Sequence, residues 1–318
     1  MLYPWQTEQW QHFCQQKKQQ RLSHAIVISG VEGIGKSALA HHMAATLLCE
    51  IEDAIEPCGQ CHSCQLFVSG AHPDHIVIEP EEPGKQIKIE QIRRLKDKQE
   101  LTPTVSKWKT VIISPADSMN INANNSLLKL LEEPQDNTLL ILITAKPERL
   151  PITILSRCQK LILSPPERDI TINWLQQQGS FDGDLINRLL PLAKGAPLTV
   201  LAMTESEVLL HIQQVEVDFE SLLNGNANPV MLAKDWQQYD LTMVLNHLQN
   251  LIQKDIVNSQ NQLGNRVNSK RFWHIYDCII AAIKLLSSSN NINKVLLIEQ
   301  FMVSVMDDNL RHGATVNR

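Results

Sequence analysis

His24-Ala-Ile-Val-Ile-Ser29 runs directly into Gly30-Val-Glu-Gly-Ile-Gly-Lys-Ser37, and the chain continues as Ala38-Leu-Ala-His-His-Met-Ala-Ala-Thr-Leu-Leu48. The first segment is a nearly unbroken apolar, β-branched run, as expected of a strand covered on both faces. The third places Leu39, Met43 and Leu47 four residues apart, a helical period. Between them G-x4-G-K-S is complete. A glycine loop at a strand-to-helix junction lets backbone N–H groups wrap a phosphate at the positive helix end. The lysine then reaches the terminal phosphates and the hydroxyl ligates Mg²⁺. Gly30, Gly33, Gly35, Lys36 and Ser37 are therefore the candidate nucleotide contacts. A glycine turn that binds nothing is the alternative, and the strand–helix context argues against it.

Four more β-rich runs follow, at His75–Glu79, Thr110–Ser114, Thr138–Thr144 and Gln159–Ser164. Helical stretches separate them, among them Asn122–Leu131, which ends before Pro134. Strands alternating with helices predict a mainly parallel α/β sheet of five strands. After Pro165-Pro166 the strand signal stops. Asp169–Gln178, Asp184–Ala193 and Leu198–Met203 read as three short helices. Beyond Glu205, Leu241, Val244, Leu245, Leu248, Leu251 and Ile252 form one helical stripe, and Phe272, Ile275, Ile279 and Ile283 another. The polar segments Asn258–Ser269 and Ser287–Asn293 read as exposed loops. The expected domains are 1–165, 166–204 and 205–318.

Composition narrows the function. The 318 residues exceed one ordinary core, so two or three domains are expected. Charged residues make up 20% and apolar residues 43%, which excludes a largely disordered chain. Net charge is −5, from 29 basic and 34 acidic side chains. Neither half carries the basic surplus of a self-sufficient nucleic-acid binder. Lys88, Arg93, Arg94, Lys96 and Lys98 alternate with Glu90, Asp97 and Glu100, the pattern of a solvated helix face, with a share in a DNA-lining surface as the alternative. The tryptophans at 5, 10, 108, 174, 236 and 273 are dispersed, so no stacking platform for single strands is visible. There is no basic-then-apolar leader and no apolar run of about 18–20 residues, so a cytoplasmic protein without membrane contact is expected.

Nucleotide hydrolysis needs more than the loop. An acid at the end of a neighbouring strand normally holds Mg²⁺. Here Pro115-Ala116 follow the third run where an ATP-hydrolysing motor would carry Asp-Glu, and Asp117 comes two residues late. It reads as a cap for the segment leading into Asn122, with a displaced acid as the alternative.

Cys58-x2-Cys61-x2-Cys64 is a second constellation, with Cys49 nine residues upstream. Four thiolates close a tetrahedral site and leave no open position, which predicts structural Zn²⁺. An Fe–S cluster would call for a further cysteine such as C-x3-C-P, and position 68 is Val. His62, His72 and His75 are near enough in sequence to replace a ligand, but four cysteines already fill the set. Cys14, Cys158 and Cys278 read as buried free thiols.

Ser23-His-Ala-Ile-Val-Ile-Ser-Gly30, Asn125-Ser-Leu-Leu-Lys-Leu-Leu-Glu-Glu-Pro134, Lys146-Pro-Glu-Arg-Leu-Pro151 and Ser156-Arg157-Cys158 occur in that order. In them the chain resembles the AAA+ clamp-loader subunits of bacterial DNA polymerase III, over nearly all of residues 1–205. The resemblance implies an α/β RecA-like AAA+ domain with a parallel five-stranded sheet, carrying an inserted zinc module at 49–64. A small helical lid domain and an all-α C-terminal collar domain would follow. It implies partners, gamma/tau and delta subunits in a heteropentamer, and through them the sliding clamp and primer-template DNA. It implies that Arg157 reaches the ATP site of an adjacent subunit, and that Thr144 stands where working relatives sense the γ-phosphate. ATP or ADP with Mg²⁺ would be the loop's ligand. Without the resemblance, an ion pair of Arg157 with Glu132 or Glu133 is the favoured reading. Gly195-Ala-Pro-Leu198 lacks the arginine that follows it in ATP-hydrolysing relatives, which agrees with the missing acid pair.

Overall fold

The computed structural model describes residues 2–99, 103–179, 182–205, 207–261, 266–288 and 293–313. The chain divides into two compact units, Met1–Ser180 with Lys194–Thr199, and Phe181–Ala193 with Val200–Arg318.

The first unit holds β1 (Ala25–Ser29), β2 (His75–Ile78), β3 (Lys109–Ile113), β4 (Thr138–Thr144) and β5 (Gln159–Ile162). All pairings are parallel and the order is β2-β3-β4-β1-β5. The α/β sheet expected from the alternating runs is therefore present. Alternation within each strand sends side chains to opposite faces. Val27, Val111, Ile113, Leu140 and Leu142 pack on one face with α4 (Ile89–Gln99), α5 (Ile121–Glu132) and α6 (Ile152–Leu155). Ile26, Ile28, Ile112, Leu139, Ile141 and Ile143 pack on the other with α1 (Thr7–Lys18) and α2 (Lys36–Leu48). Covering on both faces explains why β1, β3 and β4 are buried throughout while the edge strands β2 and β5 are not. α3 (His62–Val68) and α7 (Arg168–Gln178) complete the helices of this unit.

Parallel register sets the site. Ser29, the last residue of β1, pairs with Thr144, the last of β4. The segments leaving β1, β3 and β4 thus emerge at one sheet edge, where α/β folds gather their ligands.

The second unit contains α8 (Gly183–Leu192), most of α9 (Pro197–Thr204), α10 (Val208–Leu223), α11 (Pro229–Asp235), α12 (Leu241–Asn261), α13 (Arg266–Ser288) and α14 (Lys294–Gly313). The two predicted stripes meet in its core: Val244, Leu248 and Ile252 with Ile275 and Ile279, around Trp236 and Phe219. Glu216 accepts from Arg188 at 3.0 Å and pairs with the buried His247 at 2.9 Å. Of the polar segment expected as a loop at Asn258–Ser269, the described residues are helical, whereas in Ser287–Asn293 only Ser287 and Ser288 are helical and Asn293 is not. α12 extends through Asn261, α13 spans Arg266–Ser288, and residues 262–265 and 289–292 lie outside the described ones. Long helices packed on one another need only one apolar face, so a polar stretch can continue a helix instead of ending it.

Candidate functional site

Gly30, Gly33 and Gly35 have φ of +155°, +74° and +87°, a region L side chains rarely adopt, so the loop path requires glycine there. The loop ends at the N-terminus of α2, and its carbonyls are all engaged. Lys36 Nζ donates to Gly30 O and Val31 O, both at 2.8 Å. The Thr199 hydroxyl donates to Glu32 O at 3.1 Å and the Leu198 amide to Gly33 O at 3.1 Å. Trp5 Nε1 donates to Ile34 O at 2.9 Å, and Gln6 Nε2 to Gly35 O at 2.8 Å. Tying the carbonyls outward fixes the loop in the shape whose amides form an anion nest. Lys36 is buried, and burial pushes its ammonium pKa down, with Glu32 and Asp117 opposing that shift.

The dispersed tryptophans are partly assembled here. Tyr3 and Trp5 stack at 4.9 Å, and Trp174 meets Trp5 edge-on at 5.2 Å. Neither this cluster nor the contacts from Gln6 and Thr199 has a local sequence signal.

Asp117 lies in a short 3-10 turn, Ala116–Ser118, after β3. It does not cap the following helix: the Asn120 side chain does that, accepting from the Ala123 amide at 2.8 Å. Asp117 Oδ1 instead accepts from the Thr144 hydroxyl at 2.6 Å, and Thr144 Oγ1 accepts from the Lys146 amide at 2.9 Å. Thr144 is fully buried.

Arg157 follows α6 and precedes β5. Its Nη1 donates to Thr153 O at 3.0 Å and its Nη2 pairs with Glu132 Oε1 at 2.8 Å. The pairing within the chain that the sequence held open is therefore made, with Glu132 and at the surface. Side-chain exposures of 37% and 50% make it a weak, salt-screened pair, worth about 0–1 kcal/mol.

The four cysteines converge. Their sulfurs all lie within 4.8 Å of one another, and Cys58 and Cys64 are 3.9 Å apart. Tetrahedral thiolates about 2.3 Å from a zinc ion stand about 3.8 Å apart, so the set fits that ion. Two amide contacts shape the turn, Cys61 N–H to Cys58 Sγ and Cys64 N–H to Cys61 Sγ, both at 3.3 Å. Backbone amides of Gln60 and Cys61 pull the Cys58 thiol down to about 6. Burial pushes Cys64 up to about 12. A cation among the sulfurs is what would keep all four deprotonated.

The histidines are not ligands in this geometry. His62 is exposed. His72 is buried, bonded to the Ser63 hydroxyl at 2.8 Å and accepting from the Asp74 amide at 3.1 Å. His75 bonds the Thr110 hydroxyl at 2.8 Å. Cys14, Cys158 and Cys278 are in no disulfide and are only half-buried, short of the full burial expected, with Cys278 Sγ 3.6 Å from His274 Nε2. In the basic stretch, Lys88 pairs with Glu81 at 2.7 Å while Arg93 and Arg94 are exposed, as a solvated face requires. The side chains of Lys96, Asp97, Lys98 and Glu100 lie outside the described residues.

A family profile described as "DNA polymerase III, delta subunit" matches residues 5–167. The DNA polymerase III subunit delta' of Pseudomonas aeruginosa is 32% identical over 319 residues, spanning 95% of this chain and 96% of that one. The delta' subunit of Escherichia coli is 30% identical across 78% of this chain and 71% of its own length. The tau/gamma subunit of Haemophilus influenzae is 30% identical over 65% of this chain and 30% of that longer protein. No helix among the described residues is long and apolar enough to cross a membrane.

Proposed function

The chain belongs to the DNA polymerase III delta' subunit family, and on that premise we propose that it is the non-hydrolysing stator of the clamp loader. It helps place the sliding clamp on primed DNA and lends Arg157 to the ATP site of an adjoining subunit. The observation that carries this reading is the contrast between two sheet edges. At its own nucleotide site β3 runs into Ser114-Pro115, with no acid at the strand end. At the start of β5 an arginine stands partly exposed on a rigid turn.

Each residue then has a physical task. Arg157 supplies a planar, permanently charged fork that matches phosphate oxygens, and such a group stabilises charge on a transferring phosphoryl by about 10³–10⁵ in rate in well-studied cases. Gly30, Gly33, Gly35, Lys36 and Ser37 form a loop able to take ATP or ADP, with Thr144 and Asp117 beside it. Ser37 would reach the Mg²⁺ that accompanies such a nucleotide. Cys49, Cys58, Cys61 and Cys64 would hold Zn²⁺, whose contribution is structural because four protein ligands leave no position for a substrate.

The partners are gamma/tau and delta subunits in a heteropentamer, joined through the helical collar at 205–318, with residues 166–204 as the lid domain. Clamp and primer-template DNA are met through that assembly in the cytoplasm. The chain itself has no catalytic activity of its own.

An ATP-hydrolysing motor of the gamma/tau type is the second reading, favoured by the complete phosphate loop and by the tau/gamma relative. One experiment separates them. ATP turnover is measured for this chain alone and for the loader reconstituted with gamma/tau, delta, clamp and primed DNA, with wild type or Arg157→Ala. The stator reading expects an inactive isolated chain, and an assembly that forms normally but turns over far more slowly with Arg157→Ala. Turnover by the isolated chain that Lys36→Ala abolishes would establish the motor instead.

A further inference from the structure

Arg157 is not held by its own backbone alone. Ile154 is fully buried and Leu155 packs beside it, in the cluster that contains Leu127, Leu130 and Leu131 of α5. The Arg157 amide donates to Ile154 O at 3.0 Å, so the turn that carries the arginine is fixed against that helix. The same helix ends at Glu132, whose carboxylate meets the guanidinium at 2.8 Å. The last carbonyls of a helix disfavour a carboxylate and favour a cation. A guanidinium at Glu132 therefore removes an electrostatic conflict that the sequence builds into this helix end.

The geometry points to Glu132 as a positioning residue for Arg157. Its carboxylate, together with the Thr153 carbonyl, holds the guanidinium aimed before an adjoining subunit arrives. The inference rests on the finger reading of Arg157. Two contacts orient the plane of the fork, from Nη1 to Thr153 O and from Nη2 to Glu132 Oε1. A guanidinium has five N–H donors, so these contacts do not exhaust it, and phosphate oxygens of a nucleoside triphosphate can bind the rest. Exposure of both partners keeps the hold weak, which suits aiming more than locking. An arginine already ordered loses less side-chain freedom when it meets the phosphate.

The test uses the reconstituted loader with its ATPase subunits, clamp and primed DNA. Steady-state turnover is compared for Glu132→Ala, Glu132→Gln, Arg157→Ala and the Glu132→Ala/Arg157→Ala pair, with assembly followed by size-exclusion chromatography. Glu132→Ala is expected to lower kcat by about 2–5-fold, the scale of an exposed ion pair, with KM for ATP and assembly unchanged. Glu132→Gln keeps an acceptor for the guanidinium and recovers most of the loss. The double variant matches Arg157→Ala alone, because without the arginine there is nothing to aim. Wild-type turnover by Glu132→Ala overturns the inference. So does a further fall when Glu132→Ala is added to Arg157→Ala, since that effect would not pass through the arginine. Unchanged turnover with Arg157→Ala removes the finger reading itself, and with it this inference, whatever the Glu132 variants do.

Discussion

The Thr144 hydroxyl donates to Asp117 and accepts from the Lys146 amide, so one buried oxygen ties the end of β4 to the turn after β3. Thr144→Val keeps the shape and leaves the Lys146 amide without that acceptor and Asp117 without that donor. Such a loss costs about 1–3 kcal/mol. Urea unfolding of Thr144→Val should show a lower midpoint with unchanged slope, while Thr144→Ser stays near wild type. Equal midpoints for Val and wild type would mean the bond contributes nothing.

Gly33 faces the segment that closes over the loop. A Cβ there would lie 1.9 Å from Thr199 Oγ1 and 2.7 Å from the Thr199 amide nitrogen, at a φ of +74°. Gly33→Ala should destabilise the protein by about 2 kcal/mol or more, from backbone strain and the forced displacement of Thr199. Thr199→Gly should not restore it, because the backbone nitrogen remains in the way. Differential scanning calorimetry of the single and double variants decides the point.

Metal analysis of the purified chain should give about one zinc per molecule. Cys64→Ser, which removes a buried sulfur from the set, should lose the ion and lower the melting temperature by roughly 5–10 °C. Chelation of wild type should converge on the same melting temperature.

Acid should weaken the sheet edge at His75. Burial, with His41 and His72 adding to it, pushes the ring down to about 4 from 6.5. The folded protein therefore resists the proton that the unfolded chain accepts. The neutral-His contribution is complete above about pH 6.5 and is lost as pH falls toward about 4, on the order of 3 kcal/mol in all. His75→Gln should flatten stability against pH across that window. An unchanged profile would show that other groups control it.

The parts of the site that were legible in the sequence are the local ones. β1, the glycine loop and α2 are contiguous, so strand run, turn chemistry and helical spacing reinforce one another within 25 residues. The cysteines likewise declare themselves by spacing, and Glu132 could be named beside Arg157 as a partner. What clamps the loop was not legible. Trp5 acts across 29 positions and Thr199 across 167, with no periodicity to link them. Asp117 was read as a helix cap because its distance from Thr144, 27 residues, hides that the turn after β3 lies beside the end of the neighbouring β4. The segment around Asn258 failed for another reason: composition reports solvent exposure, and an exposed helix face is as polar as a loop.

Because Lys36, Thr199, Leu198, Trp5 and Gln6 already occupy every carbonyl from Gly30 to Gly35, the loop's conformation is specified by the chain itself. A ligand shifts an equilibrium only by preferring one state over another. A nucleotide would draw Lys36 away from Gly30 O and Val31 O, while the contacts on the carbonyls from Glu32 to Gly35 stay in place. Its arrival would be registered at that one side chain.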